Sequence, residues 1–600
     1  MAVDITNQIT YKRLAAAGND KLFFEDVLVA AGTLIELATA TGDIDTSDQL
    51  NMATAFQKVF IANGTNLKVA DFINTRLDHI ALTTAHAHGD TLTQATSGAS
   101  MLVDYTNAAK TSTYGYTTTG TWDVTNSVTG DGSGTAFTPT STAGVLTHTA
   151  LATAHAADDV LTQATTTATM TVVATDADKT HTYGKMTSGT FNTTNAVTGS
   201  GSGTGFTPTA VSTRPPLWYT WTVYPGGASG SLPTTAYLVC VYRGRLVLSG
   251  DPLYANQWYM SKISNPWDWL YGADDPMSAV AGNNADAGQC PAIPRALISF
   301  HDDYLIFGCA NTIWVLRGDP VAGGSLDSLS DTTGIFGAQS WCFDDQRNLY
   351  FWGSGGLYKL DAGFGGLDCV SKVALPDLIN DEAADAATHT VCMEYDRKRY
   401  GVVVCITKLA DGSNSNYFYS LKTGGFYPET YPEECGAYAM LYYAANDTAL
   451  GDLMMGCKDG YPRVFKTSAK DDDVGGSDEA ISSYMTYPIV PLSDAVDMRG
   501  RLKEMVIESA GGAAAGALSD TDGFTWELFR GDDAEEVLED IMDGATAFTS
   551  GTVTGVGRKN KLRPRMRGAY MGLKLSNSTA AETWAVNRIL YGVSKSGKVR

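Results

Sequence analysis

Three features of the sequence predict an all-β protein. Only 18% of the 600 residues are charged and 62 are glycine, a balance that suits pleated half-buried surfaces joined by tight turns. No long stretch shows the apolar spacing of an amphipathic helix. From Trp218 onward a unit of strand, tight polar turn, strand, glycine turn and short edge strand recurs roughly every 40–50 residues. That period, with about four strands per unit, is the mark of a β-propeller.

The first part, 1–76, reads as early propeller strands. "AFQKVFIANGTNLKVADFI" alternates around Val59, Ile61 and Leu67, with a hairpin turn at Asn63–Asn66. Just before it, "TSDQLNMATAF" is expected to form one short helical turn capped by Thr46 or Ser47.

Two near-copies follow without a gap, predicted as small β-modules at 77–145 and 146–209. "TLTQATSGASM" from Thr91 returns as "VLTQATTTATM" from Val160. Each copy carries a "TYG" (Tyr114, Tyr183), an aromatic after "GT" (Trp122, Phe191) and a closing "GSGT" before "FTPT". About five short strands per copy are expected, with glycine at the turns. Pro215 and Pro216 make a stiff exit.

The main propeller blades are expected over 210–497. Turns fall at Arg243-Gly244, His301–Asp303, Asn311, Asp344–Arg347 and Gly353–Gly356. A β-rich C-terminal segment, 498–600, closes the architecture. Within it "DDAEEVLEDIMDG" (Asp532–Gly544) is the best helix candidate, with Val537, Leu538 and Ile541 on one face and acidic residues toward the N-terminal end.

The net charge of −23 argues against a protein that grips nucleic acid, because phosphate binding needs clustered Lys and Arg. An acidic wall would instead let DNA slide past. The nine cysteines lie between Cys240 and Cys457 without a CxxC pair, several inside apolar runs, which reads as reduced core packing from a cytosolic assembly. No secretory leader follows Lys12 and Arg13 and no run has the length of a membrane helix, so a soluble chain made in the cytoplasm is expected.

Candidate motifs are few. "SDTDGFTW" (Ser519–Trp526) is a near-miss of the Asp-box of sialidase-type propellers, with its aspartate, Asp522, one place late; a plain hairpin turn at Asp522-Gly523 is the simpler reading. His86-Ala87-His88 on a strand would put two imidazoles on one face, half of a metal site, but the second copy keeps only His155 and has Ala157. Neither a catalytic constellation nor a cofactor or metal set is predicted. "RKNKLRPRMR" packs six basic residues into ten, Arg558, Lys559, Lys561, Arg563, Arg565 and Arg567, in an otherwise acidic chain. A strand would set Arg563, Arg565 and Arg567 on one side, where they would either blunt an edge strand or meet an acidic neighbouring subunit.

From Cys240 to Leu360 the order of "VYRGRLVLSGDP", "WYMSKISNPWDW", "ALISFHDDYLIFGCANTIWVLRGDP" and "LSDTTGIFGAQSWCFDDQRNLYFWGSGGLYKL" closely resembles the central region of tail nozzle proteins of short-tailed bacteriophages, also called tail tubular protein B. "RGRLKEMVIES", "GRKNKLRPRMRGAYMGLKLSNS" and "WAVNRILYGV" are similar to the closing segment of that family, and "AFQKVFIANGTNLKVADF" to its early strands. The resemblance implies a non-enzymatic structural virion protein. Six copies would form a ring below the tail adaptor, continue the DNA-ejection channel, and help retain and then release the genome. Double-stranded DNA would pass without specific binding, and the repeats, which have no counterpart in the family, would be an insertion available to tail fibres. The expected location is the virion tail, assembled in the host cytoplasm with no membrane segment of its own. The alternative is a glycan-binding or sialidase-like propeller with the repeats as carbohydrate modules.

Overall fold

The structure is a computed structural model that describes residues 2–4, 9–25, 33–47, 49–225, 230–272, 275–445, 451–466, 469–494, 498–509, 522–553 and 560–598. It is all-β, and the chain divides into two compact units, one over most of 1–464 and one mainly over 465–600.

Among the described residues the first unit carries, besides the repeats and a two-stranded hairpin, seven antiparallel sheets, the blades of a propeller. The first blade is Ala15–Gly18, Lys21–Glu25 and Leu34–Glu36. The second is Asn51–Ala55, Lys58–Ala62, Leu67–Asp71 and Leu217–Thr220. The others open with Leu238–Tyr242, Pro294–Phe300, Trp341–Phe343, His389–Asp396 and Ala437–Tyr443. Each blade is a meander of near neighbours, as tight turns require. At Arg243-Gly244 both residues have positive φ, +48° and +70°, the twist that lets two strands pair across a two-residue loop.

Apolar clusters fill the space between successive blades. Leu22 and Phe24 meet Ile61 and Trp218; Phe60 and Val69 meet Leu246, Leu248 and Trp269; Val247 and Trp258 meet Phe307 and Leu316. The pattern continues with Ile306 against Phe351 and Tyr350 against Val404. Each fully buried side chain of this size contributes about 1.5–3 kcal/mol. The ring closes where the Tyr443 hydroxyl of the seventh blade donates to the buried Glu25 carboxylate of the first.

The helical turn expected near Thr46 is absent. Asn51–Ala55 is a strand, paired with Lys58–Ala62 through a turn at Phe56-Gln57, while Thr46 and Ser47 bond to Asp20 and Asp45. Both turn residues sit at positive φ, +49° and +62°, a conformation that non-glycine residues rarely signal from sequence.

The repeats leave the propeller inside one blade. Leu67–Asp71 and Leu217–Thr220 are adjacent strands, with Leu217 opposite Asp71, and both modules lie in the chain between them. Together with the exit strand Ala210–Ser212 they form one eleven-stranded sheet. The first module holds Thr75–Asp78, Thr91–Gln94, Ala99–Thr106, Ser112–Thr119 and Thr129–Gly130. The second holds Ser141–Thr147, Val160–Gln163, Ala168–Thr175, His181–Ser188 and Val197–Gly199. The division expected at 145/146 therefore falls within the strand Ser141–Thr147, which pairs with His181–Ser188 and opens the second module.

Among the described residues the second unit has two four-stranded sheets around one core, and a hairpin, Asp471–Val474 with Ser477–Ala480, beside them in sequence. Ser483–Pro491, Tyr570–Asn577, Phe524–Gly531 and Thr549–Val553 form one, and Met498–Ser509 with Asn560–Leu562, Met566–Gly568 and Val586–Lys598 forms the other. Leu502, Met505 and Ile507 pack against Trp526, Leu528, Leu573 and Leu575. Because Ser483–Pro491 pairs with Tyr570–Asn577, this unit includes residues on the N-terminal side of the division expected at 497/498. The expected helix is Ala534–Met542, capped by the Asp533 side chain accepting from Glu536 N at 2.7 Å. Val537 and Ile541 are buried against Phe529, but Leu538 is exposed, so the apolar face is narrower than the sequence suggests.

Candidate functional site

Apart from His88, the histidines of the repeats turn out to be core residues. His86 and His155 are buried, and their Nε2 atoms bond the carbonyls of Thr135 and Thr204 at 3.0 and 3.1 Å. The "GSGT" glycines make room for these rings. A Cβ on Gly134 would lie 2.0 Å from His86 Nδ1, and one on Gly203 would lie 2.1 Å from His155 Nδ1. His79 and His148 repeat the pattern, each bonded to a threonine hydroxyl at 2.9 Å and packed at a tilt on Phe137 or Phe206. Burial lowers the pKa of His79, His86 and His148, favouring the neutral ring.

His86 and His88 do not share a strand face. Residues 85–88 are irregular chain; His86 points into the module core, whereas His88 turns to Asp104, with Nδ1 2.9 Å from its carbonyl and 3.5 Å from its carboxylate. Among the described residues no group of three or more His, Cys, Asp or Glu is placed to hold a metal ion.

His88, itself exposed, stands at the edge of a polar cluster where the first module meets the propeller. Lys58, 3% exposed, reaches Asp104 at 2.8 Å. Asn74 donates to Asp104 at 2.8 Å and to Asp71 at 2.7 Å, Trp267 Nε1 donates to Asp104 at 3.3 Å, and the Tyr219 hydroxyl donates to Asp71 at 2.9 Å. Tyr105 stacks on Trp267 with ring centroids 4.2 Å apart, and Tyr114 packs on Tyr219 at 4.4 Å. Burial works against the charges of Lys58 and Asp104, but their mutual attraction outweighs it: the lysine pKa is raised and the carboxylate is held well below its usual range. His88 is raised, chiefly by its hydrogen bond to Asp104. The cluster joins residues far apart in the chain, and only Lys58 and Asp104 standing among uncharged neighbours hinted at it.

The basic run is not one strand. Asn560–Leu562 and Met566–Gly568 are separate, and Arg565 has φ of +51° between them, because Pro564 cannot donate to a ladder. Exposure still alternates: Lys561, Arg563, Arg565 and Arg567 face solvent, and Met566 is buried. Lys561 pairs with Glu504 at 2.6 Å and lowers that carboxyl's pKa. Among the described residues no carboxylate lies within ion-pair distance of Arg563, Arg565 or Arg567. Arg558 and Lys559 lie outside the described residues.

Of the near-miss Asp-box, Ser519–Thr521 lie outside the described residues. Asp522 bonds away from its own turn, accepting from Thr583 N at 2.8 Å while its N–H donates to Thr583 O. None of the nine cysteines is in a disulfide, and burial pushes Cys240 and Cys392 up to about 12, the inert state of a packed core thiol.

Comparison with known proteins leaves the family open. No protein-family model matches the chain, and no curated protein matches it. A solved structure of a dipeptidyl aminopeptidase IV-type protein from Bacteroides ovatus aligns with 69% of this chain at 10% identity and a TM-score of 0.20. The chain spans 58% of that protein's length, and a likeness of that size carries no argument about fold or activity.

Proposed function

We propose that this protein is a structural subunit of the tail nozzle of a short-tailed bacteriophage, a ring of six copies below the tail adaptor through which the genome leaves. The observation that carries this reading is that the resembling phrases follow one another through consecutive blades. "VYRGRLVLSGDP" runs from the end of Leu238–Tyr242 through the turn and second strand of the third blade, "ALISFHDDYLIFGCANTIWVLRGDP" through the first three strands of the fourth, and "LSDTTGIFGAQSWCFDDQRNLYFWGSGGLYKL" from the last strand of the fourth through three strands of the fifth. The repeats, which the resemblance does not cover, occupy a single excursion between two paired strands, where an insertion leaves a scaffold intact. The net charge of −23 suits a duct past which phosphates slide without sticking.

In this role the chain has no catalytic step, and the exposed arginines at 563, 565 and 567 meet acidic surface on the neighbouring copy. The modules face away from the channel, since two per subunit would crowd it, and are available to fibres. The test is negative-stain imaging of the purified protein with its cognate adaptor. Six-fold rings with a central hole are expected, and replacing Arg563, Arg565 and Arg567 by Glu should weaken assembly about tenfold or more, given a fraction of a kcal/mol up to about 1 kcal/mol per exposed pair. A particle that stays monomeric beside the adaptor and hydrolyses sialosides would overturn the reading.

A further inference from the structure

A second site lies on the third blade. A cavity of about 510 Å³ opens between the segment 231–235, which enters the blade, and the loops around 251–259 and 281–289. That volume falls within the range of pockets that take small ligands, about 300–1,000 Å³. Its wall is aromatic: Tyr259 and Tyr271 stand with ring centroids 5.9 Å apart at 47°, and Tyr254, 61% exposed, stands at the rim.

The polar groups beside these rings are prepared for a partner. Gln257 lines the cavity, is 4% exposed, and its buried Oε1 accepts no hydrogen bond. Leaving such an acceptor unmade costs about 1–3 kcal/mol, which a donor entering the cavity would recover once the Gln257 amide turns toward it. Asp251, also 4% exposed, receives Thr235 Oγ1 at 2.8 Å and Leu253 N at 2.9 Å, both on Oδ1. Asn283 adds an amide on the opposite loop. The loop is held in shape by Gln257 N donating to Tyr254 O at 2.9 Å and Ser249 Oγ donating to Gln257 O at 2.7 Å, so little ordering remains for a ligand to impose.

We infer that this cavity is a binding site for a neutral sugar. Ring hydroxyls can donate to Gln257 Oε1 and Asp251 while accepting from amide groups, and the C–H face of a pyranose can lie on a tyrosine ring. An acidic sugar or a phosphate would call for Arg or Lys, and no residue lining the cavity is basic. A lone cation would satisfy the acceptors and leave the amide donors idle. The assignment does not depend on the nozzle reading: a ring subunit and a free propeller could each carry the site.

Saturation-transfer NMR on the full-length protein tests it, with glucose, galactose, N-acetylglucosamine, lactose and maltose as separate probes. N-acetylneuraminic acid and an amidated lysine serve as the acidic and cationic comparators. At least one neutral probe should receive saturation, and Tyr254→Ala should weaken it about tenfold through loss of one aromatic face. Gln257→Met should weaken binding by a similar factor without lowering the Tm, because it removes an acceptor that has no partner in the fold. A purely structural glutamine would give the opposite pattern, a lower Tm with binding intact. Silence from every neutral probe, transfer to the acidic or cationic compound alone, or neutral binding unchanged in both variants would overturn the assignment.

Discussion

The glycines of the repeated "GSGT" show how a residue choice answers to a contact made far along the chain. Gly134→Ala would drive a methyl group into the His86 ring and is expected to cost about 1–3 kcal/mol in urea unfolding, as is Gly203→Ala against His155. Lys58 is the other sensitive position. Lys58→Met removes the cation beside Asp104 and leaves that carboxylate with only Asn74, Trp267 and His88 beside it, so a loss of up to about 3–5 kcal/mol is expected in the same measurement. His88 gives a pH signature. Its pKa is raised by Asp104, so the stabilisation it adds is full below its unfolded value, about 6.5, and fades as pH rises through the higher folded value. In an NMR titration its imidazole should titrate above that of His86, whose pKa burial lowers. At this scale the sequence showed that the glycines and histidines recur together, but duplication alone accounts for that. The cause, ring against glycine, spans about fifty positions and is invisible without the fold.

At the scale of strands and turns the reading from sequence succeeded where turn chemistry is local. Asn63 Oδ1 accepts from Thr65 N and Asn66 N at 3.1 and 2.7 Å, the Asx geometry that "NGTN" announces. It failed at Asn51–Ala55, because the Phe56-Gln57 turn uses residues that ordinarily avoid positive φ. Gln57→Gly should therefore raise stability, by about 1 kcal/mol, read as a shift of the urea midpoint with the slope unchanged. The basic run was legible as a charge pattern, yet Pro564 divides it into two short strands. The Gln257 cavity was not legible at all, since its residues come from three separate loops of unremarkable composition.

For the whole molecule, the decisive feature is that the second blade is completed only after both modules have been made. Asp71 and Leu217 are register partners, so a short turn can join the two strands and the propeller remains topologically whole without the insert. Deleting 75–212 alone would still expose Tyr219 and Trp267, which stack against Tyr105 and Tyr114, and would strip Lys58 of Asp104. We expect that deletion to lower the Tm sharply, and the same deletion with Lys58→Met to recover part of the loss, checked by thermal unfolding of both variants. The blades could be anticipated from the recurring unit, and the excursion from the resemblance, whose family lacks the duplicated block. The closure through Tyr443 and Glu25 could not, because it joins residues at opposite ends of the first unit.

The pairing between the modules has one more consequence. Leu77 faces Thr142 where the first module meets the second, and Leu146 faces Val211 where the second meets the exit strand Ala210–Ser212. Each pair is the other moved along by one repeat, so the exit strand occupies the berth that the opening strand of a third copy would take. The array has no dedicated terminus. Recombination between copies could lengthen or shorten it by whole modules, each new junction already shaped, while the blade beneath kept the same two attachment points.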